Sequence, residues 1–111
     1  MSPITTHVLD TALGRPAAGV PLVLSKFGAG GWALVGRGVT DADGRCKDLL
    51  KAGSLKKGSY RLTFDVARYF KKTKRTGFYP SISIDFAVRD AGHHHVPLLL
   101  SPWGYSTYRG S

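Results

Sequence analysis

Apolar and polar residues alternate in pairs along most of this chain. From Ile4 to Thr11, Ile4, Thr6 and Val8 fall on one side and Thr5, His7 and Leu9 on the other, the period of a β-strand. Pro21 opens a second strand, Leu22 to Phe27, and the flexible loop Gly28-Ala29-Gly30-Gly31 turns it back on a third, Trp32 to Thr40. Asp41-Ala42-Asp43-Gly44 predicts a tight turn, since Asp and Gly tolerate the positive φ that such turns demand. Leu49 to Gly58 reads as an irregular connection. Tyr60, Leu62, Phe64 and Val66 then alternate with Arg61, Thr63 and Asp65 in the clearest half-buried strand of the first two-thirds.

At Asp65 the period changes. Asp65 can cap a short helix from Val66 to about Lys74, with Val66, Tyr69 and Phe70 recurring at i, i+3 and i+4, and Gly77 is expected to end it. Alternation returns at Ser81 to Arg89, and Asp90-Ala91-Gly92 turns into a histidine-rich strand that runs to Leu100. Pro102 to Gly104 turns the last strand back. Pro97 sits badly inside the histidine strand because it removes a ladder donor, so an irregularity is expected there. Seven to eight short strands, one short helix and no strand-helix rhythm predict an all-β fold, an antiparallel β-sandwich.

Length and composition bound the rest. With 111 residues, 42% of them hydrophobic, residues 1–111 form a single domain with one packed core, and no internal repeat is visible. The lone Cys46 cannot form an intrachain disulfide, and no apolar run approaches the length of a membrane span. A soluble protein in an intracellular, cytoplasmic or peroxisomal, setting is therefore expected, with no membrane partner. The charge is strongly basic, 16 Lys and Arg against 7 Asp and no Glu, net +9. Such a surplus favours anionic partners. Much of it lies in Lys71-Lys72-Thr73-Lys74-Arg75 and Lys56-Lys57, which read as a solvated helix end and a loop. No strand face combines basic and aromatic residues, so no nucleic-acid partner is expected.

Candidate chemistry concentrates in imidazoles. His93, His95, Pro97 and Leu99 share one face of the histidine strand, and His94, Val96, Leu98 and Leu100 the other. His7 lies opposite Val8 and so faces away from the core. The three consecutive histidines are internal and run into an apolar strand, unlike a tag. His7, His93 and His95 could offer nitrogens to zinc, but no Cys or Asp spacing accompanies them, and neither a metal nor another cofactor is expected. The serines lack a Gly-x-Ser-x-Gly elbow, and Cys46 has no activating partner in view, which argues against covalent catalysis. A noncovalent site remains: histidine titrates near neutral pH, and arginine supplies fixed charge and paired donors for an oxyanion.

Four stretches in order carry a resemblance: Thr5-Thr6-His7-Val8-Leu9-Asp10 with Gly14-Arg15-Pro16-Ala17, Asp43-Gly44-Arg45-Cys46, Phe78-Tyr79-Pro80-Ser81-Ile82, and LLLSPWGYSTYRGS after the histidines. Together they resemble the 5-hydroxyisourate hydrolases, the transthyretin-related enzymes of urate breakdown. The resemblance implies a transthyretin-like sandwich that hydrolyses 5-hydroxyisourate by adding water to a ring carbonyl and opening the ring. The catalytic positions it carries over are His7, Arg45 and His95. Tyr108, Arg109, Gly110 and Ser111, with His93, are implied to seat the substrate, and His94 stands where many relatives have Tyr. A homotetramer, two dimers meeting across a channel, is implied too. The alternative is a small-ligand carrier such as transthyretin, which binds thyroid hormone and has Lys for His7, Glu for Arg45 and Thr for Tyr108.

Overall fold

The computed structural model describes residues 2–111. Two sheets pack face to face. One contains β1 (Ile4–Asp10), β8 (His94–Ser101) and β9 (Gly104–Thr107) in that order, with the two-residue strands β2 (Arg15–Pro16) and β5 (Arg45–Cys46) both paired to β1. The other has the order β4 (Gly31–Val39), β3 (Pro21–Gly28), β6 (Gly58–Phe64), β7 (Ile82–Val88). Seven strands have four residues or more, and the short helix α1 (Val66–Lys72) bridges β6 and β7. This is the expected sandwich. Its core is the inward half of each alternation: Ile4, Val8, Leu98 and Leu100 meet Leu22, Leu24, Leu62 and Phe64, all 2% exposed or less. Each such side chain contributes about 1.5–3 kcal/mol on burial.

One pair departs from the antiparallel pattern. β1 and β8 run parallel in unbroken register from Ile4↔His94 to Asp10↔Leu100. A parallel pair needs a long crossover, and here the whole second sheet and the helix supply it. The chain therefore brings its first strand and its histidine strand side by side. Pro97 leaves that register intact, and the irregularity falls on its other neighbour. β9 pairs with β8 as far as Thr107↔Leu98, skips Tyr108 and Arg109, and resumes at Gly110↔His95 in unchanged register. The missing ladder donor of Pro97 lies within that gap.

The helix starts where expected and ends earlier. Asp65 accepts from the Arg68 amide at 3.1 Å, and Val66, Tyr69 and Phe70 are buried. It stops at Lys72 rather than Lys74, because Lys74 takes a left-handed φ of 59° and the Arg75 amide bonds back to Phe70. That turn lays the Arg75 guanidinium on Asp10, whose carboxylate is fully buried and also accepts from the Tyr69 hydroxyl at 2.7 Å. Burial raises the Asp10 carboxyl, but its bonds from Arg75, Tyr69 and the Leu13 amide outweigh that and hold it below its usual 3.8. Gly77 does not end the helix; a Cβ there would lie 2.7 Å from the Phe70 ring.

Candidate active site

Alternation decides which way the imidazoles face, and register decides what they meet. Thr5, His7 and Leu9 point outward from β1, and His95 and Leu99 point outward from the adjacent β8, with Thr5 directly beside His95. The buried Thr5 hydroxyl lies 2.8 Å from His95 Nδ1 and 2.9 Å from His93 Nε2. His94 turns inward. It is buried, and its Nδ1–H donates to the Gly92 carbonyl at 2.7 Å, so it is a structural histidine.

Arg45 reaches this face through the turn that precedes it. The Asp41 carboxylate accepts from the Asp43 and Arg45 amides at 2.9 and 3.0 Å, and Gly44 adopts a φ of 74°. A side chain at Gly44 would put its Cβ 2.4 Å from the Val8 carbonyl, so only glycine lets the turn dock on β1. The docking pairs Arg45 with His7, and residues opposite each other in an antiparallel pair share a face. His7 Nε2–H donates to the Asp43 carbonyl at 2.8 Å, which leaves Nδ1 to accept a proton. Among the described residues, Arg45 makes no ion pair.

The tail closes the far side. The Gly110 amide donates to the His95 carbonyl at 2.9 Å, which places Ser111 beside the histidines. Arg45, Lys47, His93, His95 and Ser111 surround a cavity of about 170 Å³ whose floor includes Thr5. His7 stands next to it on β1. Tyr108 and Arg109 do not line that cavity: with His94, His95 and Val96 of β8 they line a second one of about 200 Å³ against Ile84 to Ala87 of β7, so His95 borders both. Tyr108 is 57% exposed. Thr5 and Lys47 are additions to the expected set. The alternation that exposed His7 also put Thr5 on its face, whereas Lys47 follows β5 in irregular chain and carried no signal.

Electrostatics suit proton transfer. Burial, followed by the positive charge of Arg45 and the neighbouring His93 and His7, lowers His95 below its usual 6.5 and favours the neutral ring. Cys46, by contrast, is pushed up to about 11 by burial and by its bond to Asp48, so it stays a thiol and offers no nucleophile. Among the described residues, no three His, Cys, Asp or Glu side chains gather in an arrangement that could hold a metal ion.

Comparison with known proteins agrees with this architecture. The family model described as HIUase/Transthyretin family matches residues 4–110. The chain belongs to that family. It is 48% identical to the 5-hydroxyisourate hydrolase of Mus musculus, over 99% of this chain and 96% of that one. Among solved structures, 5-hydroxyisourate hydrolase from Klebsiella pneumoniae superposes with a TM-score of 0.85 at 38% identity, covering 97% of this chain and 98% of that one. Sea bream transthyretin in complex with thyroxine superposes with a TM-score of 0.92 at 33% identity, covering 98% and 95%. The shape is common to enzyme and carrier, so the backbone alone does not separate them. No helix among the described residues is long and apolar enough to cross a membrane.

Proposed function

We propose that this chain hydrolyses 5-hydroxyisourate to the ring-opened ureido-imidazoline carboxylate, a step of urate degradation, by noncovalent general acid-base catalysis. The observation that carries the reading is the gathering of Arg45, His93 and His95 around a small cavity, with His7 paired to Arg45 on the same outward face, in a chain 48% identical to a hydrolase of that name. Two imidazoles and an unpaired guanidinium are a set for moving protons and holding an oxyanion.

In this mechanism His7 Nδ1 takes a proton from water as the water oxygen adds to the ring carbonyl. Arg45 faces the oxygen on which negative charge develops. The ring C–N bond then breaks: the proton that His7 took from water passes across the bound intermediate to His95 Nε2 and from there to the leaving nitrogen, so both histidines end neutral. The new carboxylic acid releases its remaining proton to solvent as the carboxylate. Both histidines enter neutral, which for His95 is the form its surroundings favour. His93, Gly110 and Ser111 bound the ring, and the exposed Tyr108 and Arg109 turn onto it from the rim. Homotetramers, dimers of dimers, set two such faces across a channel that shields the ring from bulk solvent. The half-buried Leu9 and Leu99, paired in register, flank the site on the face that a second dimer covers.

The test is the ultraviolet decay of freshly generated 5-hydroxyisourate. His7→Asn and His95→Asn should each lower turnover about 100-fold or more, the usual worth of a positioned acid or base. Near-parental rates in both variants, or no acceleration by the parent protein, would refute the assignment and favour the carrier. EDTA should leave the rate unchanged.

A further inference from the structure

Thr5 has no part in the scheme above, yet its side chain is the most tightly engaged at the site. It is 4% exposed, and a single hydroxyl oxygen lies within hydrogen-bond distance of two imidazole nitrogens, His93 Nε2 and His95 Nδ1. The two rings stand nearly parallel, 6.2 Å apart, so neither bonds the other directly. The oxygen carries one proton. Apart from the two rings it has no other hydrogen-bond partner among the described residues, so it donates to one ring and accepts from the other.

We infer that Thr5 is a positioning residue whose hydroxyl couples the protonation of His93 to that of His95 and lets His95 Nε2 act in turn as base and acid. The inference rests on the proposed hydrolysis. In the first arrangement His95 Nδ1–H donates to Thr5 and Thr5 donates to His93 Nε2, so His95 Nε2 holds a lone pair toward the cavity. When Nε2 takes a proton, the Nδ1 proton passes to the Thr5 oxygen and the Thr5 proton passes to His93 Nε2. His95 is then neutral with its proton on Nε2, and the positive charge sits on His93. The one proton gained, at Nε2, is the proton that His7 took from water; the three groups carry it as a positive charge until the leaving nitrogen takes it, and no bond to carbon changes. As the leaving nitrogen takes the Nε2 proton, the same shifts run backwards.

The geometry explains why the charge should move. His95 is half-buried beside Arg45 and Lys47, where an imidazolium is poorly tolerated, while His93 is exposed at the mouth of β8 and can pass its charge to solvent. The parallel β1–β8 register, with Thr5 beside His95, makes this possible.

The experiment compares Thr5→Val, which keeps the shape and removes the hydroxyl, with Thr5→Ser, which keeps the hydroxyl, and with His95→Asn. The relay requires Thr5→Val to lower kcat at least about 10-fold with KM within about twofold, and Thr5→Ser to retain most of the rate. Thr5→Val at the parental kcat beside an inactive His95→Asn would overturn the relay and leave the hydrolytic reading standing. Equal losses in Val and Ser would also overturn it, since the effect would then be one of packing. A fully active His95→Asn would overturn the relay, and would remove the hydrolytic reading as well only if His7→Asn were also fully active. Imidazole ¹⁵N spectra of the parent protein provide a test that needs no variant. Protons held at full occupancy on both His93 Nε2 and His95 Nδ1 would overturn the coupling, whereas occupancies summing to one proton over the two nitrogens would support it.

Discussion

Replacing Gly110 by alanine places a methyl carbon 2.5 Å from His95 Cδ2, 3.3 Å from Cγ and 3.2 Å from Pro97 Cγ. Ordinary contact begins near 3.4 Å, so the ring or the tail must give by about 1 Å. If the ring turns, it leaves the Thr5 hydroxyl. If the tail lifts, the Gly110–His95 bridge breaks. Each bond is worth about 0.5–1.5 kcal/mol net, and overpacking that is not relieved costs about 1–3 kcal/mol. Lifting a tail held by one bridge is the cheaper route, so the melting temperature should fall by only a few degrees, about the equivalent of one such bond. Activity should fall far more, because a displacement of about 1 Å at a catalytic group can cost about 100-fold. The measurement is kcat/KM by ultraviolet decay beside thermal melting by circular dichroism. Gly104→Ala is the matched control, since its added carbon meets only Ser101 Oγ, at 3.9 Å. Parental activity in Gly110→Ala, or equal losses in both variants, would refute the reasoning that Gly110 keeps His95 and the tail in place.

Three further outcomes follow from the same geometry. His95 should titrate below 6.5 by NMR and rise toward it in Arg45→Gln; because the folded state holds this ring neutral, its contribution to stability is fully present above pH 6.5 and is lost as pH falls through the lowered value. Asp10→Ala should destabilise by about 3 kcal/mol, since it strands the Arg75 guanidinium and the Tyr69 hydroxyl, and urea unfolding reads this directly. In the parent protein the same carboxylate contributes stability that is present above pH 3.8 and lost below it, where its lowered folded value is reached. Light scattering should give about four times the 12.0 kDa chain mass, and Leu9→Asp or Leu99→Asp should reduce it; an active monomer would contradict the channel.

Much of this site is legible in single strands. Alternation is a local property of the extended backbone, so the outward direction of His7 and His95 and the inward direction of His94 follow from counting along β1 and β8. The turn at Asp41–Gly44 is local as well, and so is the cap at Asp65. The resemblance of the motifs adds the roles, which no periodicity could supply.

What pairs with what was settled elsewhere. Thr5 and His95 are 90 positions apart, and nothing within either strand says that they are neighbours. Their parallel register arises because both strands must turn one face onto the same core, and a slip of one residue would reverse every side chain in the strand. The two-residue strand that carries Arg45 has no periodicity of its own and exists only because Gly44 docks on Val8. Asp10 looks like one more polar position in an alternating strand. It becomes a buried ion-pair partner because the helix ends at Lys72 and turns Arg75 back over β1. Tyr108 and Arg109 line a different cavity from Arg45 and His93, with His95 bordering both, and this follows from the interrupted pairing opposite Pro97, a constraint between strands that the tail's own residues do not carry. Local conformation was therefore readable from the chain, while adjacency was a product of packing, since strand pairing is fixed by the burial of faces that meet only after the sandwich has closed.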